Sequence, residues 1–363
     1  MACKTTLFFE KVCVKAEIFI PLHKLNPPRF SLDQRTRAGL LLYMSTIRLY
    51  TKQPLSIADQ IQLLKDRGLL FGDETYAAKF LSEVSYFRFV QYLRPMEADK
   101  VHHTFKPNSR FEDALTLYNF DTQLRILMFE AIQEIEIALR TKVNHEFSMQ
   151  HGAFWFYDTS LADDEHKYIE NMNAVDRELQ RSKEDFIKEH KQRYDKPVFP
   201  PSWKTLELAS FGTLSKLYYN CNDTKTKKRI ARLFNLPQHE VLESWMRSLT
   251  VLRNCCAHHS RIWNRRLTNA PQLSVPLRGA WIDTNGIDGN KLYAITCCII
   301  YWLDSMGRSD AFKTKDIDCN IPISRCYRHG ISKQLGFSTI MDIIMTKQQF
   351  AMLKSVNCRF FVY

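Results

Sequence analysis

Apolar residues recur every three or four positions through most of the middle of this chain, the spacing of one face of an α-helix. The longest such run lies between Arg110 and Met149. There Leu117, Leu124, Leu127, Met128, Ala131, Ile135 and Leu139 fall on one stripe and predict a single long amphipathic helix. Ser56 with Asp59 opens a shorter run that Gly68 closes, the start and stop signals of a short helix. Another helix is expected over Thr75–Tyr92, ending before Pro95, and His102–Pro107 reads as an extended connection. His151-Gly-Ala-Phe-Trp-Phe-Tyr is an aromatic corner for packing between helices. Asp163 to Tyr194 predicts one charged helix with few apolar positions, either a solvated protrusion or an arm for a partner. The prolines of Lys196-Pro-Val-Phe-Pro-Pro201 make the clearest break, and helices follow at about 203–219, 223–234, 238–260 and 289–305. Pro237 suits the first turn of the third of these, and the Pro- and Gly-bearing stretch from Leu267 to Asn290 reads as an ordered loop. The expected fold is mainly all-α, a helical bundle with an additional N-terminal helical part and irregular termini.

Both ends differ from the middle. Residues 1–43 lack capping order, and residues 311–363 are poorly periodic, with Gly330, Gly336 and a final Cys-Arg-Phe-Phe-Val-Tyr. A start codon assigned too far upstream and a lineage-specific extension would each account for the first segment. The chain therefore divides into an atypical N-terminal extension (1–43), a helical region (44–310) and an atypical C-terminal segment (311–363).

Charge and cysteine usage narrow the class. A net charge of +12 over 363 residues favours an anionic partner, of which nucleic acid is the commonest. The basic residues recur at Lys225-Thr-Lys227-Lys228-Arg229, at Arg261-Ile-Trp-Asn-Arg265-Arg266, and between Arg177 and Arg193. Any one run suits a solvated helix face; together they suit a groove for RNA, with Trp203 and Trp263 available to stack bases. The ten cysteines lack zinc spacing: Cys255-Cys256 and Cys297-Cys298 are adjacent pairs, which on a helix point apart and read as small hydrophobes. No metal or cofactor is expected. The N-terminus lacks a secretory pattern, and no run of about 18 apolar residues could span a bilayer, so a cytoplasmic location with reduced thiols and no membrane is expected.

Candidate chemistry concentrates in Arg253-Asn-Cys-Cys-Ala-His258. Asn254 and His258 are four apart and stack on one helix face, and the long Arg253 side chain can swing to the same spot. An imidazole moves a proton near neutral pH while a guanidinium stabilises charge on a phosphate, which together suffice for RNA cleavage without metal. The same residues would also suit a crossing helix with a hydrogen-bonded Asn and a buried His. His259 is a reserve for His258. Arg140-Thr-Lys-Val-Asn-His145 is a second Arg-x4-His on the long helix. It would complete a site within one chain, or simply carry a Glu136–Arg140 pair one turn apart.

The wider text around Arg253, Arg253-Asn-Cys-Cys-Ala-His-His-Ser-Arg261-Ile-Trp-Asn-Arg265-Arg266, resembles the Abi-like (AbiD/AbiF) family of phage-defence proteins in the HEPN superfamily of helical ribonucleases. Three other segments resemble the same family. They are Leu55-Ser-Ile-Ala-Asp-Gln-Ile-Gln-Leu-Leu-Lys-Asp-Arg-Gly68 with Tyr86-Phe-Arg-Phe; Phe120-Asp with Ile135-Glu-Ile-Ala-Leu-Arg140; and Pro201-Ser-Trp203 through Glu207 and Gly212 to Tyr218. The resemblance implies a HEPN core at about 110–150 and 200–305. It implies metal-independent cleavage by ribose 2′-hydroxyl attack, with His258 transferring the proton, Arg253 stabilising the phosphate and Asn254 orienting. It further implies an abortive-infection toxin restrained by a structured partner RNA, acting as a homodimer because one strong motif per chain leaves the site half built. The alternative is a non-catalytic RNA-binding or regulatory HEPN module. Lys225, Lys227, Lys228, Arg229, Arg261, Arg265 and Arg266 are the expected RNA contacts.

Overall fold

In the computed structural model of the chain, residues 50–277 and 287–309 are described. The readings of 1–43 and 311–363 lie outside them, as does part of the Leu267–Asn290 loop. The elements below all lie in the unit of the chain that begins at Ser56.

Ser56 caps helix α1 (Ile57–Asp66): its Oγ accepts from the Asp59 backbone N–H at 3.1 Å and donates to the Asp59 carboxylate at 2.7 Å. Gly68 ends the turn at φ +90°, where a side chain would be strained. The expected Thr75–Tyr92 helix is two helices, α2 (Glu74–Val84) and α3 (Tyr86–Leu93), broken at Ser85. Ser85 takes φ +65° and its hydroxyl accepts from the Arg88 N–H, so it starts α3 afresh instead of continuing α2. A two-stranded antiparallel hairpin follows, with β2 (Thr104–Phe105) inside the predicted extended connection and β1 (Glu97–Asp99) before it.

Helix α4 (Phe111–His151) realises the long stripe in 41 residues. At 1.5 Å per residue it is about 60 Å long. Charged sequence then folds as α5 (Glu165–Arg181) and α6 (Asp185–Arg193). Two helices form where one is expected, and the solvated-protrusion alternative is corrected: Met172, Val175, Leu179 and Ile187 are buried, and α5 packs on the two helices that follow α6. These are α7 (Ser202–Leu208) and α8 (Phe211–Asn220), split where Ser210 caps α8 by accepting from Thr213 N–H at 3.1 Å. α9 (Thr224–Arg232), α10 (His239–Ala257) and α11 (Leu292–Ser305) complete the order. Gln238 is the residue before α10, so Pro237 sits outside the helix and not in its first turn.

Helix α4 is the spine: α3, α7, α8, α9, α10 and α11 all contact it. α10 is the second inner helix, covered by α8, α9 and α11. Trp245 of α10 is fully buried, edge-on to Trp302 of α11 at 5.3 Å, and its indole N–H donates to the Gln272 carbonyl at 2.7 Å. Burying such a side chain contributes roughly 2–3 kcal/mol. The candidate residues sit on α4 and α10, which pack against each other. Among the described residues no helix is long and apolar enough to cross a membrane.

Candidate functional site

Arg253 and Arg140, the arginines of the two Arg-x4-His segments, meet on one carboxylate. Glu136 of α4 offers Oε1 to Arg140 Nη2 at 3.0 Å and Oε2 to Arg253 Nε at 3.5 Å. Arg140 also donates to the Ala209 carbonyl, between α7 and α8, at 3.1 Å. The side chains of Glu136, Arg140 and Arg253 are 13%, 14% and 29% exposed, so water screens the three only partly. The Nε atoms of both arginines are buried without a hydrogen bond. Guanidinium donors are thus left over at the α4–α10 seam. His145, the other member of the second segment, is exposed on α4.

Asn254 and His258 are both exposed at the C-terminal end of α10, as a four-residue spacing requires. The helix ends in a Schellman turn: Ser260 N–H donates to Cys255 O at 2.8 Å and His259 N–H to Cys256 O at 3.0 Å. His259 holds the left-handed position of that turn, φ +54°, usually given to glycine. Its carbonyl accepts from Arg88 of α3 at 2.5 Å. Arg88 is thus a neighbour of the histidines that sequence reasoning missed; nothing local marks a contact across so much of the chain.

The segment after α10 is fastened by Asp121. This fully buried α4 carboxylate accepts from Ile262 N–H at 3.1 Å, Trp263 N–H at 2.6 Å and Tyr92 O–H at 2.6 Å, and pairs with Arg125. Burial, then the Asp121 charge, raise the Tyr92 pKa well above its ordinary value. Burial lowers the Arg261 pKa, with Asp121 acting against it. A carboxylate directly after Phe120 on a buried stripe was the signal, visible in sequence but not read as structural.

The expected RNA contacts separate into groups. Lys225 and Lys228 are exposed on α9. Lys227 is buried, bonded to Glu243 of α10 at 2.9 Å and to the Tyr219 carbonyl at 2.9 Å, which corrects its assignment to the surface set. Arg229 leans on Glu146 and Gln150 of α4, and Arg266 pairs with Asp288 at 2.6 Å while remaining exposed. Arg261 and Arg265 are half-buried beside α10, away from full solvent. Trp263 is also corrected: it is buried and stacked on Tyr92 at 6.5 Å, not open to a base, whereas Trp203 is half-exposed.

The cysteines beside the motif are packing groups. Burial raises the Cys255 thiol and pushes Cys256 up to about 12, so both stay protonated near neutrality. Among the described residues, no three His, Cys, Asp or Glu side chains converge as metal ligands would.

A family model described as Abi-like protein matches residues 79–264, a span that contains Arg88, Asp121, Glu136, Arg140, Arg253, His258 and Arg261. No curated protein matches the chain, and no solved structure does.

Proposed function

Because this chain belongs to the Abi-like family, proteins of abortive infection in phage defence, we propose that it is a HEPN-type ribonuclease toxin that cleaves RNA without metal. The observation that carries this reading is the end of α10. An exposed Asn254–His258 pair lies within about one and a half turns of Arg253, whose guanidinium is half-buried and partnered by Glu136 alone among the ion pairs described.

In this reading the ribose 2′-hydroxyl loses its proton to an imidazole as its oxygen attacks the adjacent phosphorus. The P–O5′ bond breaks, the leaving oxygen takes a proton, and a 2′,3′-cyclic phosphate and a 5′-hydroxyl result. His258 is the proton-transfer group and Arg253 steadies charge on the phosphoryl oxygens; Asn254 orients the nucleotide by hydrogen bonding. One imidazole does not serve easily as base and acid in a single passage. A homodimer that presents a second His258 across a two-fold axis is therefore part of the proposal. A structured partner RNA on the basic surface would hold the enzyme inactive.

Replacing His258 and Arg253 singly by alanine tests the assignment. Each variant is expected to lose at least about a hundredfold in cleavage rate, the scale of one general acid–base group for His258 and of one charge-stabilising donor for Arg253. Wild-type cleavage by His258→Ala would remove the role or pass it to His259. RNA binding by a wild-type protein that never cleaves would instead favour a regulatory module.

A further inference from the structure

We propose that Arg140 and Arg253 form one phosphate cradle within a single chain, and that Glu136 is the positioning residue that holds it. The inference rests on the ribonuclease reading for its ligand, the phosphodiester of an RNA. Its geometry stands apart from that reading.

Two permanent cations face one carboxylate, so the cluster carries a surplus positive charge. The surplus lies at the seam of the two inner helices, where exposures of 13–29% leave an approaching anion poorly screened. Glu136 engages one nitrogen of each guanidinium, Nη2 of Arg140 and Nε of Arg253. A guanidinium has five N–H donors, so donors remain on both after Glu136 is satisfied. Arg140 is also anchored to the Ala209 carbonyl, which fixes its plane from a third element. A phosphoryl group offers acceptor oxygens that a pair of forked guanidiniums can grip, a match that a single lysine lacks. The second Arg-x4-His segment thus contributes its arginine to the Arg253 site, while its His145 stands exposed on α4.

Glu136 does two opposed things in this arrangement. It orients both arginines, and its charge competes with the phosphate for them. Neutralising it therefore separates affinity from turnover, which mere loss of structure does not do. Binding is read with a 2′-O-methyl oligoribonucleotide, which lacks the attacking hydroxyl, and turnover with the matching unmodified RNA, both on the full-length protein. Glu136→Gln is expected to bind the modified oligonucleotide several-fold more tightly and to turn over at least about tenfold more slowly. Arg140→Ala is expected to weaken that binding roughly tenfold, the scale of one charge-assisted contact. Where Arg140→Ala melts early, Arg140→Lys keeps the stem and charge, and the loss of the fork still lowers affinity at least about threefold.

Affinity within twofold of wild type in Arg140→Lys or Arg140→Ala would overturn the cradle. Joint loss of affinity and turnover in Glu136→Gln would make Glu136 a structural ion pair only. The predicted binding shifts in a wild-type protein that does not cleave would leave the cradle standing and remove the ribonuclease reading instead.

Discussion

His259 occupies a backbone position, φ +54°, that costs an L-residue about 1 kcal/mol and glycine almost nothing. His259→Gly should therefore stabilise the protein by roughly 0.5–1 kcal/mol, read as a raised melting temperature. A lowered one would show that the imidazole makes contacts worth more than the strain. Asp121 should behave in the opposite way. It receives three hydrogen-bond donors and one guanidinium in a fully buried place. Asp121→Asn leaves Arg125 without its counter-charge and presents an amide N–H₂ to existing donors, so a loss of about 3–5 kcal/mol is expected in a denaturant or thermal melt. A change below about 1 kcal/mol would mean the segment after α10 is held by other contacts. At this scale the sequence was informative about types and spacing. Arg253, Asn254 and His258 stand where a helix face puts them. The convergence of Glu136, Arg140 and Arg253 was not legible, because contacts between distant segments leave no periodic trace; only the Glu136–Arg140 pair, one turn apart, was readable.

Among the elements, one carboxylate ties the end of α4 to the start of α9, beside the Arg229 contacts to Glu146 and Gln150. Asp223 caps α9 through Thr226 N–H at 3.0 Å and bonds His151, the last residue of α4, at 2.7 Å. Burial opposes its charge, but hydrogen bonds from Thr226 and His151 win and hold it down at about 2. A folded-state value below the ordinary 3.8 gives stability that is present above about pH 4 and lost as pH falls towards 2. The difference corresponds to on the order of 2 kcal/mol. Asp223→Asn should thus be less stable than wild type at pH 7, with the gap between the two melting curves narrowing from about pH 4 downwards and closing only below about pH 2; a gap independent of pH would contradict the linkage. The helix breaks at Ser85 and Ser210 explain why boundaries were read too generously. Apolar periodicity continues across both, and what stops each helix is a serine whose hydroxyl takes the next helix's N–H. Those serines were the available signal. The charged α5–α6 stretch was misjudged for another reason: overall polarity masked the narrow stripe of Met172, Val175 and Leu179 that packs it down.

For the whole molecule, the surplus charge of +12 acquires a direction only after burial is known. Lys227 is committed to Glu243, so reversing it would break a buried pair and report on folding, not on binding. Lys225→Glu with Lys228→Glu is the clean surface test, because both residues are exposed on α9. If both meet an RNA backbone, the double reversal should weaken binding and flatten the slope of log affinity against log salt by at least about 1.4. An unchanged slope would assign their charge to solubility. The proposed homodimer predicts a light-scattering mass of about twice 42.8 kDa in active preparations. A strict monomer would require a second proton-transfer group from the same chain. The most direct test of the central claim incubates full-length wild-type protein with RNA in excess EDTA and maps the ends produced. Undiminished cleavage leaving 2′,3′-cyclic phosphate and 5′-hydroxyl ends, and absent from Arg253→Ala, is the predicted result. Cleavage abolished by the chelator and restored by magnesium, or undisturbed by Arg253→Ala, would contradict it.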